Sequence, residues 1–330
     1  MKPALHCITR RRVLGAAAGL AAASAAGLRA QTPVAKVTRI LVGFPPGQAT
    51  DQVARLVAER LQAGLGQAVI VENRPGQGGS MVLTQLAKSP ADGSVLSLSA
   101  LAGYVVNPVL YRNVGYDSVK DFDPVALVAD LPLALVVHPS VPATTLKELI
   151  DHAKAHPDQL NYSSSGNGTL SHLLMEDLKQ RAGIRLTHVP YQGSPRAMID
   201  LVAGNVQVGL DTATVTLPLV KAGKLRLIAV GSSARLADAP ETPTIAELGY
   251  PGFEAVAWVG LTAPAGTPRD LRERMNAEVN KALRSPEFAE KMRVLGAIPR
   301  PLSLDDFGAF LKKEQKRWKE IVERAGVKID

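Results

Sequence analysis

Apolar and polar positions alternate along the chain in two periods. Residues 40–44, 69–71 and 95–98 are short apolar runs that read as buried strands. Between the first two, Val53, Leu56, Val57 and Leu61 share one face of a helix over 51–63, with Gly64 as its stop. Residues 72–76 read as a turn, and 76–80 lead into a helix near 81–88. This β-α-β-α-β order predicts a parallel, doubly wound sheet. A second series has strands at 133–137, 160–163, 186–189, 206–210 and 225–230. Its helices cover 146–155, opened by Thr144 or Thr145, then 170–182 and 196–203. Two such series predict two α/β lobes around a cleft. Residues 257–261 read as a crossing back into the first lobe, and the Pro/Gly-rich stretch 240–268 as loops at the boundary.

The C-terminal pattern, 304–325, is a basic amphipathic helix. Ser303 and Asp306 open it and Gly326 closes it, with Phe307, Phe310, Leu311, Trp318, Ile321 and Val322 on one face. Packing of that face on the first lobe is the favoured reading, and a membrane-surface helix the other.

The N-terminus has a different pattern. Basic residues up to Arg12 precede an apolar, small-residue run ending near Ala30, which reads as an export signal (1–30) with the mature chain starting at Gln31. Thr9-Arg10-Arg11-Arg12-Val13-Leu14 resembles a twin-arginine signal, and a basic Sec signal fits equally. The segment changes the meaning of the charge. The chain carries a net +8, of which residues 1–30 hold five, so the mature body is only mildly basic. With aromatics at 4%, stacking platforms for nucleic acid are not expected. The single cysteine, Cys7, lies in the leader, which excludes disulfides, zinc thiolates and cysteine nucleophiles from the mature chain.

Two segments offer chemistry. Gly43-Phe44-Pro45-Pro46-Gly47-Gln48-Ala49-Thr50-Asp51 and Ser163-Ser164-Ser165-Gly166-Asn167-Gly168-Thr169 each leave a strand and enter a helix. Small residues admit a ligand to the backbone, and the free amides and dipole of the helix start favour an anion. Tight βα turns are the competing reading for each alone. Neither segment is a nucleotide motif, because the P-loop lysine and the third glycine of the dinucleotide fingerprint are missing. Ser164 and Ser165 are not in G-x-S-x-G, so a serine hydrolase would need a histidine brought in by folding. His152 and His156 stand at helical i, i+4 spacing without a glutamate between them, which reads as a solvated helix end rather than a metal pair. His172 follows the second segment, to contact a ligand or to brace the loop.

The chain resembles the solute-binding receptors of tripartite tricarboxylate transporters, the Bug receptors, over essentially all of 31–330. The resemblance rests on Val42-Gly43-Phe44-Pro45-Pro46-Gly47 with Asp51, and on Val71-Glu72-Asn73-Arg74-Pro75-Gly76-Gln77-Gly78-Gly79. It continues through Asn107-Pro108, Ser165-Gly166-Asn167-Gly168 with His172-Leu173, His188-Val189-Pro190-Tyr191, Ala222-Gly223-Lys224-Leu225-Arg226 and Ala263-Pro264-Ala265-Gly266-Thr267-Pro268. It implies a two-lobed periplasmic-binding-protein fold of type II-like form, with no catalysis and no cofactor. It also implies a small carboxylate held between the lobes and membrane permease subunits as partners. Gln48 stands where the family usually has glycine, and Arg196 where it has proline.

The expected lobes are 31–129 with 256–330, and 130–255, hinged near Asp130 and Ala255. The expected site is Phe44, Pro46, Gly47, Gln48, Ala49, Thr50 and Asp51 facing Ser164, Ser165, Gly166, Asn167, Gly168 and Thr169, with His172, Tyr191, Arg196 and Asp211 as further contacts. Gln48 and Arg196 are expected to set specificity, Arg196 by pairing with a second carboxylate. The expected product is a monomeric periplasmic receptor for a small organic acid, with no nucleic-acid partner. A signalling receptor and a secreted hydrolase using Ser164 or Ser165 are the alternatives.

Overall fold

A computed structural model describes residues 37–325. The export-signal reading and the Gly326 stop lie outside the described residues.

The first βα series forms as expected. Strand β1 (Thr38–Val42) pairs in parallel with β2 (Val69–Asn73) on one side and β3 (Val95–Ala100) on the other. Helix α1 (Ala49–Leu65) links β1 to β2 and buries Val53, Ala54, Val57, Ala58 and Leu61. Gly64 does not end it. The stop is Gly66, whose φ of 67° is a left-handed conformation that glycine adopts without a steric cost. Helix α2 (Ser80–Ala87) follows a turn in which Gly76, Gln77, Gly78 and Gly79 all have positive φ. A single π-helical turn over Ala102–Val106 and a short helix α3 (Asn107–Leu110) come next.

The main departure from the expected parallel pattern is β4 (Phe122–Val137), a strand of 16 residues of which only the last third is legible in the sequence. Pro124 and Pro132 interrupt the apolar run and obscure it, since proline cannot donate to a ladder. Register shifts at Pro124/Ala126 and Leu127/Ala129 absorb the first of them. The strand changes partners along its length. Residues 122–132 pair antiparallel with β9 (Val256–Pro264), which in turn pairs antiparallel with β3. Residues 133–137 pair antiparallel with β7 (Val208–Thr212) and β8 (Arg226–Val230). Ala255, just before β9, accepts from Leu133 N–H and donates to the Gly231 carbonyl, which ties it beside the middle of β4.

Beyond β7 lie β5 (Asn161–Ser164) and β6 (Thr187–Pro190), both parallel, giving the order β2-β1-β3-β9-β4-β7-β5-β6. Helix α4 (Leu146–Ala155) starts at Thr145, whose side chain accepts from Glu148 N–H in a reciprocal capping box. Helices α5 (Leu170–Ala182), α6 (Ser194–Ala203) and α7 (Ala213–Lys221) cover this second sheet. Helix α7 escaped the sequence pattern because Pro218 lies inside it. Helices α8 (Arg269–Leu283) and α9 (Pro286–Val294) and the two-residue strand β10 (Ile298–Pro299) complete the body before α10 (Leu304–Ala325).

Helix α10 packs inward, the favoured reading of its pattern. Phe307 and Trp318 are buried in the main core, and Trp258 and Trp318 both donate their indole N–H to Glu314, at 3.0 and 3.1 Å. A Cβ at Gly260 would lie 2.4 Å from the Phe307 ring, so only glycine lets the helix seat on β9.

Candidate functional site

The segment between β1 and α1 is folded around one carboxylate. Asp51, in the first turn of α1, accepts from Gly47 N–H at 2.9 Å and from Asn73 Nδ2 at 2.9 Å, and it pairs with Arg55 at 2.9 Å. Asn73 also donates to the Phe44 carbonyl, tying the segment to β2. Burial by itself would raise the Asp51 pKa. The hydrogen bonds from Arg55, Gly47 and Asn73 outweigh it and hold the carboxyl below its usual range. Gly43 has no room for a side chain, since a Cβ there would sit 2.5 Å from the Gly79 Cα.

The segment between β5 and α5 is braced by histidines. Gly168 N–H donates to His172 Nδ1 at 3.2 Å, and Ser164 Oγ lies 2.7 Å from His188 Nε2 while accepting from Gly166 N–H. Ser165 N–H donates to Ser171 Oγ, and Thr169 Oγ1 donates to the Gly166 carbonyl. His188 is sandwiched between the rings of Tyr162 and His172. Burial, and secondarily the neighbouring His172, pushes the His188 pKa down to about 4. Burial also lowers His172.

These bonds consume much of the loop donor capacity. The amides left over are those of the helix starts, which have no preceding turn to bond to. Ala49 and Thr50 of α1 and Leu170 and Ser171 of α5 all line one inner cavity of about 50 Å³. Two helix N-termini from the two βα series therefore meet at one small space, a geometry that favours an anion. Gln48, Ser165, Thr169, Asp211 and Thr212 add polar atoms, and Phe44, Leu101, Leu131, Leu133 and Ala257 add apolar walls. An outer cavity of about 410 Å³ shares Phe44 and Ser165 with the inner one. It is lined further by Pro75, Gln77, Tyr111, Asn167, Tyr191 and Gly193, among others. No lysine, arginine or histidine lines either cavity among the described residues.

The structure thus sorts the expected site residues. Phe44, Gln48, Ala49, Thr50, Ser165, Thr169 and Asp211 line the inner cavity, and Phe44, Ser165, Gly166, Asn167 and Tyr191 the outer. Pro46, Gly47, Asp51, Ser164, Gly168 and His172 line neither. Asp51 accepts from Gly47 N–H and Asn73 and pairs with Arg55, and His172 accepts from Gly168 N–H at Nδ1, so both brace their loops. Tyr191 donates its hydroxyl to Asp200, which turns the polar end of that ring away to α6.

Arg196 is placed away from both cavities and is exposed on α6. Ala197, Met198 and Leu201 form the buried face of that helix, and the helical period leaves Arg196 with the exposed Ile199 on the other side. Ser194 of α6 also lines neither cavity, but it bonds to Gln48 and Asp211, which line the inner one. Its N–H donates to Gln48 Oε1 at 3.2 Å, and its Oγ lies 2.9 and 2.7 Å from the two Asp211 oxygens. Gly193-Ser194-Pro195 is a helix-start signal that could have pointed to it. Ala100, Leu101, Leu131 and Ala257 had no local signal, since a strand crossing places them.

Folding does bring a serine and a histidine together, as Ser164 and His188. Ser164 is buried, lines neither cavity and is only 1% exposed, so its hydroxyl is closed to a carbonyl substrate. Among the described residues no cluster of three or more metal-ligating side chains is present, and no helix is long and apolar enough to cross a membrane.

The chain matches the tripartite tricarboxylate transporter family receptor (TctC) over residues 53–327. It is 37% identical over 306 residues to the protein BugT of Bordetella pertussis, covering 92% of this chain and 94% of BugT. Among solved structures it is similar to R. palustris Rpa4515 with adipate, at 35% identity and a TM-score of 0.86, covering 90% of this chain and 99% of the other. MatC from Rhodopseudomonas palustris with bound malate is similar at 32% identity and a TM-score of 0.81, covering 88% and 99%. The paired helix starts, the cation-free cavity and these likenesses agree, and the chain belongs to the tripartite tricarboxylate transporter receptor family, with the Bug proteins among its relatives.

Proposed function

We propose that this protein is a periplasmic receptor that captures a small organic carboxylate between two lobes and delivers it to the membrane permease subunits of a tripartite transporter. The meeting of the α1 and α5 starts at one cavity carries the reading. Each helix supplies half of an anion site, and neither half is complete alone. Rpa4515 with adipate and MatC with malate are similar chains that hold carboxylates. The lobes are 31–129 with 256–330, and 130–255, and the hinge is the pair of crossings near Asp130 and Ala255. The partner change along β4 supports that division, because residues 122–132 of the strand pair with β9 and residues 133–137 with β7 and β8. The protein works as a monomer without catalysis or cofactor, and the leader at 1–30 directs export.

The test is a thermal-shift screen of the mature chain against small carboxylates, followed by small-angle scattering. A ligand at 100 times its Kd stabilises the folded state by about 2.7 kcal/mol. A bound acid is expected to raise Tm and reduce the radius of gyration, without being consumed. Absence of any carboxylate effect on Tm overturns the reading.

A further inference from the structure

The two βα series are joined across the cleft by a buried side-chain bond. Gln48, directly before α1, is 7% exposed, and its Oε1 accepts from the N–H of Ser194, the first residue of α6, at 3.2 Å. Ser194 is 1% exposed. The fit around the bond is close. A Cβ at Gly193 would lie 2.7 Å from Pro45 and 2.9 Å from Gln48 Oε1, so glycine is what lets the two loops approach this far. The Ser194 end is held from behind, since its Oγ lies 2.9 and 2.7 Å from the two Asp211 oxygens and Asp211 also accepts from Thr212 N–H. The Gln48 end is held by its own loop, where Asp51 fixes Gly47 N–H. Gln48 forms one wall of the inner cavity, and Leu131, Leu133 and Ala257 of the β4 and β9 crossings form another. Rotating the two series apart about those crossings opens the cavity and separates Gln48 from Ser194.

We propose that Gln48 is a latch between the lobes, whose bond to Ser194 N–H holds part of the population closed before any ligand arrives. The proposal rests on the two-lobed receptor reading and adds a control on its open–closed equilibrium. Opening returns both partners to water, so the net gain on closing is that of one hydrogen bond, a factor of about two to ten in the closed-to-open ratio. A factor of this size biases the equilibrium without fixing it, and a ligand still completes closure. It matters for capture, because a ligand that needs the closed form binds in proportion to the closed fraction. The latch uses the helix-start amide of α6, whereas Ala49 and Thr50 of α1 and Leu170 and Ser171 of α5 stay on the inner cavity. Latch and ligand therefore draw on different amides.

The experiment needs no ligand. The chain from Gln31 onward contains no cysteine, so spin labels can be attached through Met81→Cys on α2 and Ile199→Cys on α6, two exposed positions that line neither cavity. Pulsed dipolar spectroscopy on the mature protein, refolded from denaturant to remove bound acids, reads the distances between the lobes. A shorter and a longer population are expected, and in Gln48→Ala the ratio of shorter to longer should fall about two- to tenfold. Gln48→Met keeps the side-chain length without the amide oxygen, should lose as much, and serves if the alanine variant is poorly folded. The same distribution in the labelled protein with and without either Gln48 substitution overturns the proposal, as does a single population in all of them. The receptor reading fails by a different result, the absence of carboxylate binding, so the two failures are told apart.

Discussion

The imidazole rings of His172 and His188 lie parallel, 4.1 Å between centroids and 7° from coplanar. One of them must be neutral at Nδ1, because Gly168 N–H donates to His172 there. Both rings have pKa values below the ordinary histidine value, His188 at about 4. Glu176 and Lys179 stand beside the pair with opposite effects, and burial dominates. The folded state then binds fewer protons than the unfolded one. Its stability is complete above the unfolded pKa of about 6.5 and is lost as pH falls toward the folded values. Carboxylate affinity should fall in the same window, since protonating His172 breaks the bond that shapes the loop. Thermal unfolding and calorimetry from about pH 8 down to about pH 4.5 check it, with a flatter profile expected for His188→Gln.

Asp211 should show the opposite sign. Burial pushes its pKa up to about 6 against the hydrogen bonds from Ser194 and Thr212. A raised folded pKa means that its contribution to stability is full below about 3.9 and is lost as pH rises through about 6. Asp211→Asn should therefore gain stability relative to the unmodified protein as pH rises from about 4 to about 7, by on the order of 2 kcal/mol. Chemical denaturation across that range measures it. A difference between the two proteins that does not change with pH would contradict the assignment.

Asp51→Ala should weaken the site without touching its lining. The substitution strands Gly47 N–H and takes one partner each from Asn73 and Arg55. A stability loss of about 1–3 kcal/mol is expected, together with a drop in affinity for any carboxylate that binds. Asp51→Asn, which keeps one acceptor, should retain more of both. Urea titrations with and without ligand separate the two effects.

Arg196→Ala should change neither affinity nor selectivity. The side chain is exposed and lines no cavity of the site. The effect on stability should stay within about 0.5 kcal/mol, as for other surface changes. A selective loss of diacid binding in this variant would place the guanidinium in the cleft after all.

The sequence alone determined what depends on neighbours in the chain. The 3.6- and 2-residue periods located most βα units of both series, and Thr144 or Thr145 marked a helix start that the structure places at Thr145. Glycines at 43, 47, 166 and 168 exposed the two strand-to-helix loops, because small residues at such turns are a local requirement. Segments interrupted by proline, β4 and α7, were legible only in part or not at all, since proline breaks the pattern that defines them.

What required the tertiary structure was the direction of each side chain and the company it keeps. Gln48 and Ser194 are 146 positions apart and meet only because two helix starts converge. Arg196 and Ser194 are two positions apart, yet one faces solvent and the other is buried against Gln48 and Asp211, since α6 packs through Ala197, Met198 and Leu201. His172 was legible as either a ligand contact or a brace, and the structure shows the bracing bond, from Gly168 N–H to Nδ1. Long-range packing sets these relationships, and no local pattern encodes which face of a helix or which atom of a side chain is left free for a ligand.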